Sequence, residues 1–175
     1  MDVAECLQAS TKALELAQPF RRKPNRLPME VYRGPRVYFL TLACEGRRRW
    51  FVDPRLVVDC IEALRVAAGS HNARVYAFCF MPDHLHLLVH GGARTLLPDL
   101  MHDFKQVTGS AFAKATGGEL WQEGYYDHVV RSEEGVLAVA RYIAGNPVRA
   151  GLVEDAGMYP YTGSFDWDRG ALMEA

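Results

Sequence analysis

The stretch FMPDHLHLLVHG, Phe80 to Gly91, places three histidines, His84, His86 and His90, in a run that otherwise reads as a buried β-strand. Successive side chains of a strand point to opposite faces. Leu85, Leu87 and Val89 therefore share one wholly aliphatic face, which belongs to a core. His84, His86 and Leu88 share the other, with the two imidazoles about 7 Å apart at their Cα atoms. His90 has the same parity but lies at the strand end. Two readings of the pair are open: ordinary hydrogen-bonded histidines, or ligands that reach one divalent ion from a rigid platform. A bare His-x-His does not decide between them.

Working outward, ARVYAFCFMP (Ala73 to Pro82) reads as the preceding strand. The short Met81-Pro82-Asp83 link makes the two an antiparallel hairpin. RVYFLTLACEG, Arg36 to Gly46, is an earlier strand rich in β-branched and aromatic residues. Between these strands lies DPRLVVDCIEALRVAAGSH, a helix with Asp53 at the N-cap and Pro54 at the first helical position. TLLPDLMHDFKQVTGSAFAKATG is one long helix or a helix pair. LWQEGYYDHVV is an aromatic loop that leads into a short strand. SEEGVLAVARYIAGN is a further helix, capped by Ser132, favoured at its start by Glu133 and Glu134, and ended near Asn146 by Pro147. The order β-α-β-β-α-β followed by a helix predicts an α+β, ferredoxin-like antiparallel sheet with helices packed on one face, carrying the histidine strand and a C-terminal tyrosine-bearing helix.

The 175 residues, 49% hydrophobic and 23% charged, suit one globular domain. Residues 1–31 read as a weakly helical segment followed by the basic, proline-punctuated linker PFRRKPNRLP, 32–155 as the main domain, and 156–175 as a C-terminal tail. No apolar run is long enough for a membrane span and no signal-peptide core opens the chain, so a cytoplasmic protein is expected. Cys6, Cys44, Cys60 and Cys79 are widely spaced without a CxxC pair, which predicts free thiols. The net charge of −1 is unevenly distributed. From Phe20 to Trp50, nine basic side chains face only Glu30 and Glu45, whereas residues 51–175 carry ten basic and sixteen acidic groups. Such asymmetry is either a solvated arm and turn or a phosphate-facing surface.

Tyr142 and Asn146 stand four residues apart in RYIAGNPV, on one helix face. An amide oxygen is a hard ligand suited to Mg²⁺ or Mn²⁺, and a phenol beside it can act as a nucleophile. The structural alternatives are an N-cap role for Asn146 and core packing for Tyr142. By chemistry alone Tyr125 and Tyr126 are rival nucleophiles.

MPDHLHLLV, LWQEGYYDHVVRSEE and RYIAGNPVRAGLV, in that order, resemble the motifs of the single-tyrosine HUH transposases, and most of all their REP-associated branch. The resemblance runs from about Tyr32 to Val153. It implies that His84 and His86 are metal ligands, that Tyr142 is the nucleophile, and that Asn146 stands where the wider family places a third polar ligand, with Mg²⁺ or Mn²⁺ as cofactor. The implied activity is metal-dependent cleavage and joining of single-stranded DNA, beside a hairpin, through a 5′-phosphotyrosine. A second 3′-OH can reverse such a bond without ATP, and no P-loop pattern is present. The family acts as monomers or homodimers.

Single-stranded DNA would be tracked by Arg22, Lys23 and Arg26 of the arm, by Arg47, Arg48 and Arg49, and by Lys105 and Gln106. Trp50, Phe51, Trp121, Tyr125 and Tyr126 would either stack bases or pack in the core, and core packing is the stronger reading for these aromatics. Two other functions compete: a non-catalytic, domesticated nucleic-acid-binding protein on the same fold, and a Zn²⁺ hydrolase needing a further ligand such as His128 or Asp83.

Overall fold

Strands β1 (Val37–Ala43) and β3 (His84–Gly91) form the centre of the sheet, because nearly every residue of both is buried. They pair antiparallel, Thr41 opposite His86 and Phe39 opposite Leu88. The computed structural model describes residues 28–168 and residue 170. Within them β2 (Ala73–Met81) pairs with the other side of β3, β4 (Tyr126–Val130) with β1, and the two-residue β5 (Thr162–Gly163) with β2. The order is β4-β1-β3-β2-β5, and every pairing is antiparallel. A tight Pro82-Asp83 turn closes the β2–β3 hairpin, as predicted.

Two helices cover the aliphatic face. Helix α1 (Pro54–Ser70) starts where the sequence predicts: the Asp53 carboxylate accepts from the Arg55 N–H, and Pro54 lies in the first turn. It buries Val57, Cys60, Leu64, Ala67 and Ala68, a stripe at helical spacing. Helix α2 (Leu97–Thr116) is one continuous helix, ended by Gly117 in the left-handed conformation at φ 73°. These helices pack on Leu85, Leu87 and Val89 of β3 and on Tyr38, Leu40 and Leu42 of β1.

The opposite face is also covered, which corrects the expectation of helices on one face only. Helix α3 (Glu133–Ala144) buries Val139, Ala140, Ile143 and Ala144 against Phe39, Ala77 and Leu88. The central strands explain this: Phe39 and Leu88 would otherwise leave an apolar patch in water on the histidine face. A short helix, α4 (Asn146–Arg149), follows immediately. Residues 156–167, set apart above as a tail, pack onto the sheet edge: Tyr159 is buried, and Trp167 stacks on Tyr76 with ring centroids 4.8 Å apart.

Cys44, Cys60 and Cys79 are free and buried, and burial pushes each thiol up to about 12. Among the described residues no helix is long and apolar enough to cross a membrane.

Candidate active site

The site lies at the start of β3, on the sheet face that α3 packs against. His84 and His86 leave β3 on that face, and their Nε2 atoms converge to 3.1 Å. The two outer nitrogens are both anchored. His84 Nδ1 lies 2.5 Å from the Asp83 carboxylate, and His86 Nδ1 lies 3.0 Å from the Thr41 hydroxyl across the β1–β3 pair. The bond to His84 is the main reason the Asp83 carboxyl is held below its ordinary value. An ionised carboxylate only accepts hydrogen bonds, so the proton between Asp83 and His84 sits on His84 Nδ1. Thr41 can donate or accept, so its hydroxyl is compatible with either His86 tautomer.

Burial, and then the neighbouring His84, drive the His86 pKa well below its ordinary value. The imidazole is therefore neutral at physiological pH, the form a metal needs. Phe39 of β1 stacks on the His86 ring at 5.6 Å between centroids.

Tyr142, near the end of α3, completes the cluster. Its ring centroid lies 5.8 Å from that of His86 and 5.9 Å from that of Phe39. Burial raises the pKa of its phenol, while the Arg149 charge and the Asn146 amide act in the opposite direction. Asn146 is buried, and its Nδ2 donates to the Tyr142 carbonyl at 3.0 Å. The Arg149 guanidinium lies 4.4 Å from the centre of the Tyr142 ring and donates to the same carbonyl.

The two imidazoles turn Nε2 toward each other, while Asn146, the expected oxygen ligand, bonds the Tyr142 carbonyl through its Nδ2. On the side away from the converging Nε2 atoms each Nδ1 has a partner, Asp83 for His84 and Thr41 for His86, an arrangement that would leave both Nε2 atoms to a divalent ion. The zinc reading calls for a further His or carboxylate ligand. Among the described residues no group of three or more His, Cys, Asp and Glu side chains is arranged to hold a metal. Asp83 bonds His84 instead, and His128 pairs with Phe39 two strands away from β3.

The residues expected at the DNA divide. Arg22, Lys23 and Arg26 lie outside the described residues. Arg47, Arg48 and Arg49 are exposed, with Arg47 reaching Asp83 at 3.4 Å. This proximity arises because the β2–β3 turn is pinned to the basic loop: Cys44 N–H donates to the Asp83 carbonyl and Phe51 N–H to that of Pro82. Lys105 donates to the carbonyls of Gln122 and Gly124, so it braces the aromatic loop. It lines, with Gln106 and Tyr125, a groove of about 800 Å³ between α2 and that loop.

Trp121 takes the core-packing reading and not the base-stacking one. It is 8% exposed, its indole N–H donates to Thr108, and its ring meets Phe51 and Phe104. Phe51 is buried in the same core, and Trp50 packs edge-on against Phe112. Tyr125 is half-buried on that core, and Tyr126 packs edge-on against Phe39 on the site's face of the sheet. The Tyr142 ring is the one that meets His86. Sequence reasoning missed Phe39, Thr41 and Arg149. The first two share a parity in β1, but only the register with β3 reveals that they flank His86.

Fold and site together define an α+β, ferredoxin-like protein whose paired imidazoles face a helix-borne tyrosine. The family model described as IS200-like transposase matches residues 36–146, which include the imidazole pair, Tyr142 and Asn146, and the chain belongs to this family. An uncharacterized protein of Haemophilus influenzae is 24% identical over 161 residues, covering 73% of this chain and 88% of its own. A second protein of that organism, named "Putative REP-associated tyrosine transposase", is 22% identical over 145 residues, covering 72% and 78%. Among solved structures, that of a REP-associated tyrosine transposase bound to a REP hairpin superposes with a TM-score of 0.66 at 18% identity, over 81% of this chain and 82% of the other. At that identity the likeness speaks to the fold.

Proposed function

We propose that this protein is a REP-associated tyrosine transposase that cuts and rejoins single-stranded DNA beside a hairpin, with Tyr142 as nucleophile and with His84, His86 and Asn146 holding Mg²⁺ or Mn²⁺. The observation that carries this reading is the approach of the Tyr142 ring to within 5.8 Å of the His86 ring, beside two converging Nε2 atoms. Family membership supports it, as does the hairpin-bound structure of the same fold.

A divalent ion held there supplies Lewis acidity to the phosphodiester and offsets charge developing on its oxygens. The chain supplies the rest. The phenol oxygen of Tyr142 bonds to phosphorus as the P–O3′ bond breaks. The phenol proton is lost, and the departing O3′ gains a proton as a free 3′-OH. The product is a 5′-phosphotyrosine, and attack by another 3′-OH reverses the step and joins strands. Asp83 and Thr41 orient the imidazoles. Phe39 and α3 exclude water from one side of the site.

The test uses labelled single strands flanking a hairpin, with Mn²⁺. Wild-type protein forms a denaturant-resistant adduct, and Tyr142→Phe forms none while still binding the DNA. An undiminished adduct in that variant would remove Tyr142 from the role, and binding without any cutting by wild-type protein would favour the domesticated binding module.

A further inference from the structure

Arg149 has no role in the chemistry above, yet it makes three separate contacts with the elements that carry the nucleophile. Its guanidinium lies 4.4 Å from the centre of the Tyr142 ring. It donates to the Tyr142 main-chain carbonyl, one of the α3 C-terminal acceptors without a partner inside the helix. It also passes over the α3–α4 junction at Gly145, where an added Cβ would stand 2.8 Å from Arg149 Nη1. Gly145 has φ −80° and ψ −5°, which alanine adopts freely. The added Cβ would also stand 3.3 Å from the Arg141 carbonyl, so the space at Gly145 is bounded by the guanidinium and by the α3 backbone together.

We infer that Arg149 is a positioning residue for the nucleophile: it fixes the Tyr142 ring and backbone from the following helix, and Gly145 leaves the room it needs. The inference rests on the proposed role of Tyr142. Its physical content is orientation. Phe39 and His86 meet the Tyr142 ring edge-on and the guanidinium adds a contact over it, while in-line attack on phosphorus tolerates little misplacement. A planar guanidinium can lie against the aromatic ring and still donate to the carbonyl, which a lysine ammonium does less well.

The test compares Arg149→Ala, Arg149→Lys, Gly145→Ala and the double variant that combines Gly145→Ala with Arg149→Ala. Each is measured in single-turnover adduct formation at saturating DNA, alongside DNA affinity and thermal unfolding. Arg149→Ala should slow adduct formation on the order of ten- to a hundredfold with DNA affinity and unfolding midpoint unchanged, and Arg149→Lys should restore part of the rate. Gly145→Ala should slow it likewise, because the new methyl displaces the guanidinium. The double variant should be no slower than Arg149→Ala alone. An undiminished rate in Arg149→Ala, a full rate in Gly145→Ala, or a loss of DNA affinity matching the loss of rate would overturn the inference, the last by making Arg149 a phosphate contact. With 3-fluorotyrosine incorporated, the Tyr142 resonance, identified by its absence in Tyr142→Phe, should shift in both Arg149→Ala and Gly145→Ala. An unmoved resonance would count against the contact even in a protein without strand-transfer activity. Absence of any adduct in wild-type protein would instead bring down the functional reading itself.

Discussion

The Thr41 hydroxyl is a small group in a demanding position. It is buried on the central strand and faces His86 Nδ1 at 3.0 Å. When both Nε2 lone pairs are given to an ion, His86 Nδ1 must carry a proton, and Thr41 is the acceptor. Thr41→Val keeps the shape and removes that acceptor, leaving a buried N–H unsatisfied. Mn²⁺ affinity, measured by calorimetry, should fall by roughly ten- to a hundredfold, with little change in fold by circular dichroism. The same imidazole predicts a pH dependence. Its folded pKa lies below the unfolded value of about 6.5, so the unfolded chain takes up the proton more readily. Its contribution is therefore fully present above about pH 6.5 and is lost as the pH falls below it. The unfolding midpoint of metal-free protein should decline between about pH 7 and pH 5, and His86→Gln should flatten that decline.

At the scale of elements, the tyrosine helix depends on its first turn. The Ser132 hydroxyl accepts from the Gly135 N–H, 3.1 Å away. Ser132→Ala should destabilise the protein by about 1 kcal/mol, measured by denaturant unfolding, yet leave adduct formation at saturating DNA nearly unchanged, because Tyr142 lies at the other end of α3 and is held there by the α4 junction. This helix also shows what was legible beforehand. Its cap, its Pro147 boundary and the one-turn spacing of Tyr142 and Asn146 are local properties, written in consecutive residues. So is the parity that gives β3 one aliphatic and one histidine face. The partners of His86 are not local. Phe39 and Thr41 meet it through strand register, and register is set by the whole sheet. Trp121 illustrates the converse: its aromatic motif is visible, but its burial follows from the closing of its loop onto β1, through a bridge to Cys44 and the Gln122 N–H bond to Ala43.

At the scale of the molecule, the order of elements predicted the antiparallel α+β sheet but placed the helices on one face, which α3 overturns. Phe39, Ala77 and Leu88 are apolar on the side that carries the imidazoles, so that side is buried under α3. Residues beyond 155 were harder to place, because a two-residue strand has no periodicity to read. Their anchoring is made of single contacts. The Tyr159 hydroxyl donates to the Phe80 carbonyl at 2.8 Å, the Phe80 N–H donates to the Tyr161 carbonyl, and the Val75 N–H donates to Asp166. Together they close the edge of β2 and complete the smaller core under α3. Ending the chain after residue 155 should therefore cost about 3 kcal/mol or more, the cost of removing one or two large buried side chains, and expose a strand edge that pairs with other copies. Thermal unfolding and light scattering would read both effects. Tyr159→Phe, which removes only the hydroxyl that meets Phe80, should cost about 1 kcal/mol without promoting association. If the truncated chain unfolded at the wild-type midpoint, the C-terminal segment would be an appendage to the sheet, and α3 would owe its placement to Phe39, Ala77 and Leu88 alone.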